Sequence, residues 1–172
     1  MTTTVGAPPV SALTPDERRV QAAIERYGAK DTLITSTDTP FFPWVNGFEL
    51  RLIRIDNRTG TFTLDVKSSV DTWLGKHRHR GGVVATTLQG AWNYAEYDWV
   101  ANVGDYAHEF PGVAHTLHFY AGTVVRFEVV GALEFLNDDE SLQSLMDAWD
   151  FLDLYMQWCK ANNQTFNESI FF

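Results

Sequence analysis

Gly75-Lys76-His77-Arg78-His79-Arg80-Gly81-Gly82 is the stretch on which the reading of this 172-residue chain turns. In an extended segment side chains alternate, so His77 and His79 share one face and Arg78 and Arg80 the other. A further histidine, His115, follows 36 residues after His79, in Phe110-Pro111-Gly112-Val113-Ala114-His115. Two imidazoles from one strand and a third from a neighbouring strand can hold one face of a metal ion once the fold brings them together. His77, His79 and His115 are therefore the candidate ligands. Arg78 and Arg80 are expected to point outward, into salt bridges or a contact between copies. His118, three residues beyond His115, points by parity to the opposite face, and His108 stands ahead of Phe110-Pro111, placed to line the mouth of a barrel.

Outward from this stretch the hydrophobic period is mostly two. Phe48 to Ile55 alternates, Asp56-Asn57-Arg58-Thr59-Gly60 is turn chemistry, and Thr61 to Val66 alternates again, which predicts a hairpin. Further strands are expected over 83–88, 92–98 and 124–130, with a turn at Gln89-Gly90. Short strands joined by glycine-bearing turns indicate an all-β sandwich or barrel. The period changes to helical at both ends. Thr14-Pro15-Asp16-Glu17 opens a helix over 14–28 that carries Val20, Ala23, Ile24 and Tyr27 on one side and stops at Gly28. Asp138-Asp139-Glu140-Ser141 is read as the start of a second helix over 139–162. Its broad apolar face is expected to pack on the outside of the barrel or on a second subunit. Residues 1–13 are expected to be a loosely held lead-in to a single domain spanning 14–172.

Composition narrows the partners. A hydrophobic fraction of 45% with 14% aromatic residues argues for one folded domain with a sizeable core. The formal charge of -9 disfavours nucleic acid and anionic membrane as partners, because both reward positive charge. There is no apolar run of transmembrane length. A single cysteine, Cys159, excludes an intrachain disulfide and suits a reducing compartment, so a cytoplasmic location is expected.

Taken together, residues 72–119 resemble the two sequence motifs of the cupins. The first motif runs Gly, five residues, His-x-His, three or four residues, Glu, six residues, Gly. His77, His79 and Gly90 fit it, whereas Thr72 stands at the opening glycine and Val83 at the glutamate. Gly104, Gly112 and His115 fit the second motif; Phe110 replaces its proline, with Pro111 next door, and Phe119 replaces its asparagine. The resemblance implies a single cupin β-barrel of jelly-roll type. It also implies a homodimer or homotetramer, since cupins commonly pair through barrel edges. Within the cupins, His77-Arg78-His79-Arg80-Gly81-Gly82, Trp92-Asn93-Tyr94-Ala95-Glu96-Tyr97 and the stretch around His115-Thr116-Leu117 are similar to the 2,4'-dihydroxyacetophenone dioxygenase-like group. The β-diketone-cleaving cupins are their relatives.

That resemblance implies a non-haem Fe(II) centre that cleaves a carbon–carbon bond of an aromatic hydroxy ketone or β-diketone with O2 and no redox cosubstrate. Imidazole ligands alone leave Zn(II) or another divalent metal open. With Val83 in place of glutamate, the site reads as three neutral ligands around an ion that keeps open positions and its full charge. Val83 inside the barrel would keep the space beside those positions apolar. Trp92, Tyr94 and Glu96 are expected on one strand face; Glu96 is read either as a base or hydrogen-bond partner of a histidine, or as a surface acid. Arg126 on a later strand is a further pocket candidate. Two other readings stay open: a non-oxidative zinc cyclase or isomerase, and a metal-binding sensor like the zinc-binding anti-sigma-factor domains whose barrels this chain also resembles.

Overall fold

The structure, a computed structural model, describes residues 14–35 and 37–172. The chain divides into two units, Met1–Thr32 and Leu33–Phe172. In the first, helix α1 (Pro15–Tyr27) begins as expected: Thr14 accepts from the Glu17 amide and Glu17 accepts from the Thr14 amide, closing a capping box. The expectation of a loose segment over residues 1–13 lies outside the described residues.

The second unit is built of short strands. In chain order they are β1 (Phe42–Pro43), β2 (Phe48–Asp56), β3 (Thr61–Ser68), β4 (Thr72–Trp73) and β5 (His77–His79). Next come β6 (Val83–Gln89), β7 (Ala91–Tyr94), β8 (Ala101–Asn102), β9 (Tyr106–Glu109) and β10 (Ala114–His115). Then follow β11 (Leu117–Phe119), β12 (Thr123–Val130), β13 (Leu133–Leu136) and β14 (Leu142–Met146), and last helix α2 (Ala148–Ala161). Three antiparallel sheets result, in the orders β1-β2-β3-β12-β6-β9, β10-β5-β13-β14 and β4-β11-β7-β8. This is the all-β architecture expected from the strand pattern, and it agrees with the cupin barrel that the resemblance implies.

The core follows from alternation. Phe48, Leu50 and Leu52 of β2 point inward with Phe62, Leu64 and Val66 of β3 and Val125, Phe127 and Val129 of β12. The alternation of β2 breaks after Leu52, where Ile55 rather than Arg54 is buried. The β2–β3 register shifts between Leu52 and Arg54, and this bulge moves one residue out of step so that both halves of the strand keep an apolar inner face.

Two sequence readings need correction. The C-terminal helix starts at Ala148, not 139. Leu142, Leu145 and Met146 fit helical spacing, but β14 pairs with β13 in a hairpin whose turn holds Glu140 at φ +66°. The helix start is set by Asp147, whose side chain caps the amides of Trp149 and Asp150. The helix also does more than pack on the outside. Phe151 reaches the interior, lining a cavity with Leu50, Leu64 and Phe127, and its ring sits 5.7 Å from Trp44 and 5.2 Å from Phe62. The second correction concerns residues 92–98, where the strand ends at Tyr94 and turns at Ala95-Glu96. Among the described residues no helix is long and apolar enough to cross a membrane.

Candidate metal centre

β5 carries His77 and His79 inward, and β10 lies alongside it with His115 directly opposite His77. The turn ahead of β10 requires a glycine: Gly112 has φ +81°, and its amide donates to the His79 carbonyl at 2.8 Å, tying the second histidine stretch to the first. All three imidazoles are buried, and their ligand atoms lie within 4.8 Å of one another. His77 is oriented by its Nδ1, 2.9 Å from the Gly75 carbonyl, which leaves Nε2 free. His115 stacks on Tyr94 with ring centroids 4.0 Å apart.

A carboxylate that the sequence reading did not anticipate stands beside two of the three histidines. Glu109 Oε2 lies 3.0 Å from His79 Nε2 and 3.5 Å from His115 Nε2, while Oε1 accepts a hydrogen bond from the Tyr94 hydroxyl at 2.5 Å. Atoms bound at about 2.1 Å to one ion sit roughly 3.0–3.4 Å apart on adjacent corners, which is the spacing Glu109 shows to two of the histidines. The structure brings the three expected histidines together, and Glu109 adds an anion beside them that the sequence reading lacked. Val83 does occupy the position where the cupin motif has glutamate, but Val83 pairs across the β6–β9 ladder with Glu109. At this site an acid comes instead from the neighbouring strand, at the same level. Its only trace in the sequence is the acidic end of Tyr106-Ala107-His108-Glu109, six residues before His115.

The electrostatics suit a cation. Burial pushes His77 down to about 3, with further lowering from His115 and His79, and burial likewise lowers His115, so both offer neutral lone pairs. Burial would raise Glu109, but His79, His115 and Tyr94 together hold it below the usual carboxylate range, as an anion. Buried polar atoms ordinarily find partners. Here His79 Nδ1, His115 Nε2 and Glu109 Oε2 have none. Of these, His115 Nε2 and Glu109 Oε2 face each other at 3.5 Å, and a divalent cation between them would satisfy both at once. Nitrogen and carboxylate donors of this kind suit Zn, Fe or Ni alike.

The other candidate residues separate cleanly. Tyr94 belongs to the centre. Glu96 is exposed, and both carboxylate oxygens accept from Thr116, its amide and hydroxyl, at 2.9 Å each. The turn at Ala95-Glu96 breaks the parity that would have carried it inward. Arg126 faces away from the interior and bonds Asp65 at 2.8 and 3.1 Å. Trp92 is fully buried behind the site, its indole N–H given to Thr87 Oγ1 at 2.7 Å. Arg78 and Arg80 lie outside and share Glu134, each at 2.6 Å. His118 sits on the opposite face, stacked on Trp73, with Asp71 2.9 Å from its Nε2.

Two spaces flank the centre. The inner one, about 40 Å³, is walled by aliphatic and aromatic side chains such as Leu74, Leu117 and Val129, and touches His77, His79 and Tyr94. The outer one, about 250 Å³, reaches Tyr94, Glu109 and His115 and is bordered by Tyr97, Trp99 and Phe110.

Comparison with known proteins agrees with this architecture. Residues 29–134 match the ChrR cupin-like domain family. An RmlC-like cupin from Ralstonia eutropha JMP134 superposes with a TM-score of 0.76 at 26% identity, over 81% of this chain and 94% of that one. A second cupin-like protein from the same organism has a TM-score of 0.71 at 21% identity, over 78% and 90%. An acetylacetone dioxygenase from Acinetobacter johnsonii shares the fold with a TM-score of 0.67 at 15% identity, over 76% and 93%. No curated protein sequence matches the chain.

Proposed function

The chain belongs to the ChrR cupin-like domain family, and on that premise we propose that it is a metal-dependent dioxygenase. In this reading it holds non-haem Fe(II) and cleaves the carbon–carbon bond beside the carbonyl of a hydroxy ketone or β-diketone, with O2 and no redox cosubstrate. The observation that carries it is the position of the centre, between a cleft that can admit an organic molecule and an apolar space suited to a small gas. Acetylacetone dioxygenase shares the fold, and the donor set here suits the same class of chemistry.

His77, His79 and His115 would hold the metal, which supplies a Lewis acid for the ketone oxygens and, as iron, one-electron chemistry toward O2. The remaining work falls to the chain. Glu109 Oε2 accepts the acidic proton beside the carbonyl, leaving an electron-rich enolate. Tyr94 fixes the carboxylate through Oε1 and holds His115 by stacking. The aliphatic walls of the inner space keep that side of the centre free of polar groups. A 2-hydroxy ketone and one O2 give two carboxylic acids, so both oxygen atoms are accounted for and the enolate supplies all the electrons.

Oxygen uptake tests the proposal. Protein purified anaerobically and loaded with Fe(II) or Zn(II) is given 2-hydroxyacetophenone or acetylacetone, with His115→Ala as the control. Uptake that requires iron and ketone, and is lost in the control, is the expected result. A requirement for 2-oxoglutarate or NADH sinks this mechanism. Glu109 favours one second reading: with it as a fourth ligand the centre suits zinc in a non-oxidative enzyme or a metal sensor. Tight zinc binding with no uptake in the iron form is the outcome that selects it.

A further inference from the structure

The rings around the centre differ in chemistry from one side to the other. On the inner side the first ring met from His77, apart from the other histidines, is that of Phe135, 5.7 Å away. Leucine and valine wall much of the space around it. Neither a benzene ring nor an aliphatic chain gives up an electron readily. The run of rings that leaves His115 on the Glu109 side contains only phenols and indoles. Tyr94 lies flat on His115, with centroids 4.0 Å apart and planes 14° from parallel. Trp99 meets Tyr94 edge-on at 5.6 Å and stacks on Tyr97, again at 5.6 Å. Trp99 and Tyr97 are 40% and 41% exposed, so the run leads from a candidate ligand to water.

Tyrosine and tryptophan are the aromatic side chains most easily oxidised by one electron, and neighbouring rings can pass an electron on in short steps. A phenol takes part only if its proton has somewhere to go. Tyr94 meets that condition, because its hydroxyl donates to Glu109 Oε1 at 2.5 Å. Trp92, 5.3 Å from Tyr94, is a buried side branch whose indole N–H is given to Thr87. Packing alone would be met by phenylalanine at Tyr94 and Tyr97, with no polar group to satisfy.

We propose that Tyr94, Trp99 and Tyr97 form an electron path that drains oxidising equivalents from an iron-loaded centre to the surface when no ketone is bound. It rests on the reading above for the presence of iron, though not for the ketone chemistry. An oxidant formed at the centre from Fe(II) and a peroxide takes one electron from Tyr94, whose phenol proton passes to Glu109. Trp99 returns one electron to Tyr94, which recovers its proton from Glu109. Tyr97 then refills Trp99 and releases its own proton to water. A one-electron donor in solution, such as ascorbate, restores Tyr97 together with a proton from water. The net result is one electron carried from solution to the centre, and the histidine ligands are spared.

Peptide mass spectrometry after a peroxide challenge tests the path. Protein of measured iron content and zinc-loaded protein are treated with hydrogen peroxide without ketone, and oxygen addition is mapped residue by residue. In the iron form products are expected at Trp99 and Tyr97, with His77, His79 and His115 intact. In the zinc form both rings stay unmodified. Met156, 50% exposed on α2, takes oxygen directly from peroxide and calibrates the dose in both forms. Tyr97 also meets Tyr94 directly at 6.2 Å, so Tyr97→Phe and Trp99→Phe are made together. This double variant keeps two rings, touches no candidate ligand, and is expected to move the damage onto His115. Ring products that are equal in the iron and zinc forms of the unaltered protein overturn the proposal, whether or not the variant folds. So does histidine damage that the double variant leaves unchanged. The expected pattern without any ketone-dependent oxygen uptake leaves the path standing and the reaction wrong. Ketone-dependent uptake with ligand damage that ignores the double variant has the reverse meaning, and a protein that binds no iron overturns both.

Discussion

Strand β5 is pressed by a buried glutamate on each face, and the two are used differently. On the outer face Glu134 takes hydrogen bonds from Arg78 and Arg80, and each carboxylate oxygen has its own guanidinium. On the inner face Glu109 is bonded through one oxygen to Tyr94, while the other meets His79 and His115 without a hydrogen bond. The outer cluster is complete within the protein, and the inner one is complete only with a partner. Both cost desolvation, but only the outer glutamate has arginines to offset it. A buried carboxylate whose second oxygen faces two imidazole nitrogens is the pattern of a cation site, because the anion still needs a positive charge.

That contrast can be broken at several points, in falling order of effect. His115→Ala is expected to lower zinc affinity by more than about 100-fold, read by chelator competition, because it removes a direct ligand. Glu109→Gln keeps the shape and removes the charge, and is expected to cost about 10- to 100-fold in the same assay. An unchanged affinity for Glu109→Gln would mean that the inner carboxylate, like the outer one, is structural.

The metal-free protein gives a pH test. His77 titrates at about 3 in the folded chain against an ordinary value of 6.5. Below 6.5 the unfolded chain takes up a proton that the folded chain refuses, so stability declines as the pH falls from 6.5 toward 3. The decline is up to roughly 1.4 kcal/mol per pH unit for this histidine. Urea unfolding at pH 7.5, 6 and 5 reads it, and His77→Gln should flatten the profile. The smallest effect belongs to Glu134→Gln. It is expected to lower the melting temperature while leaving zinc affinity within about twofold, since the two clusters share no partner.

How far the site was legible depends on how local each residue's placement is. His77 and His79 share a face because they are two apart in an extended strand, and no tertiary detail changes that. His115 joined them through the resemblance of Gly104, Gly112 and His115 to the second cupin motif. Glu96 had two readings, and the structure gives that of a surface acid, because the strand expected to run to residue 98 turns after Tyr94. The start of α2 was misplaced because Leu142, Leu145 and Met146 satisfy a helix and a hairpin equally well.

The sequence by itself determined the strand-rich barrel, the hairpin of β2 and β3, the N-terminal helix and the three histidines. Most of these rest on periodicity, capping or turn chemistry within a few residues, and His115 as the third ligand rests on the resemblance to the second cupin motif. Only the tertiary structure decided that Glu109 stands beside the histidines, because that depends on the register of β9 against β6, set by hydrogen bonds between segments some 25 residues apart. The same holds for the two spaces beside the centre. A cavity is bounded by side chains from several strands and a helix, and its size follows from how they pack rather than from any one stretch of chain.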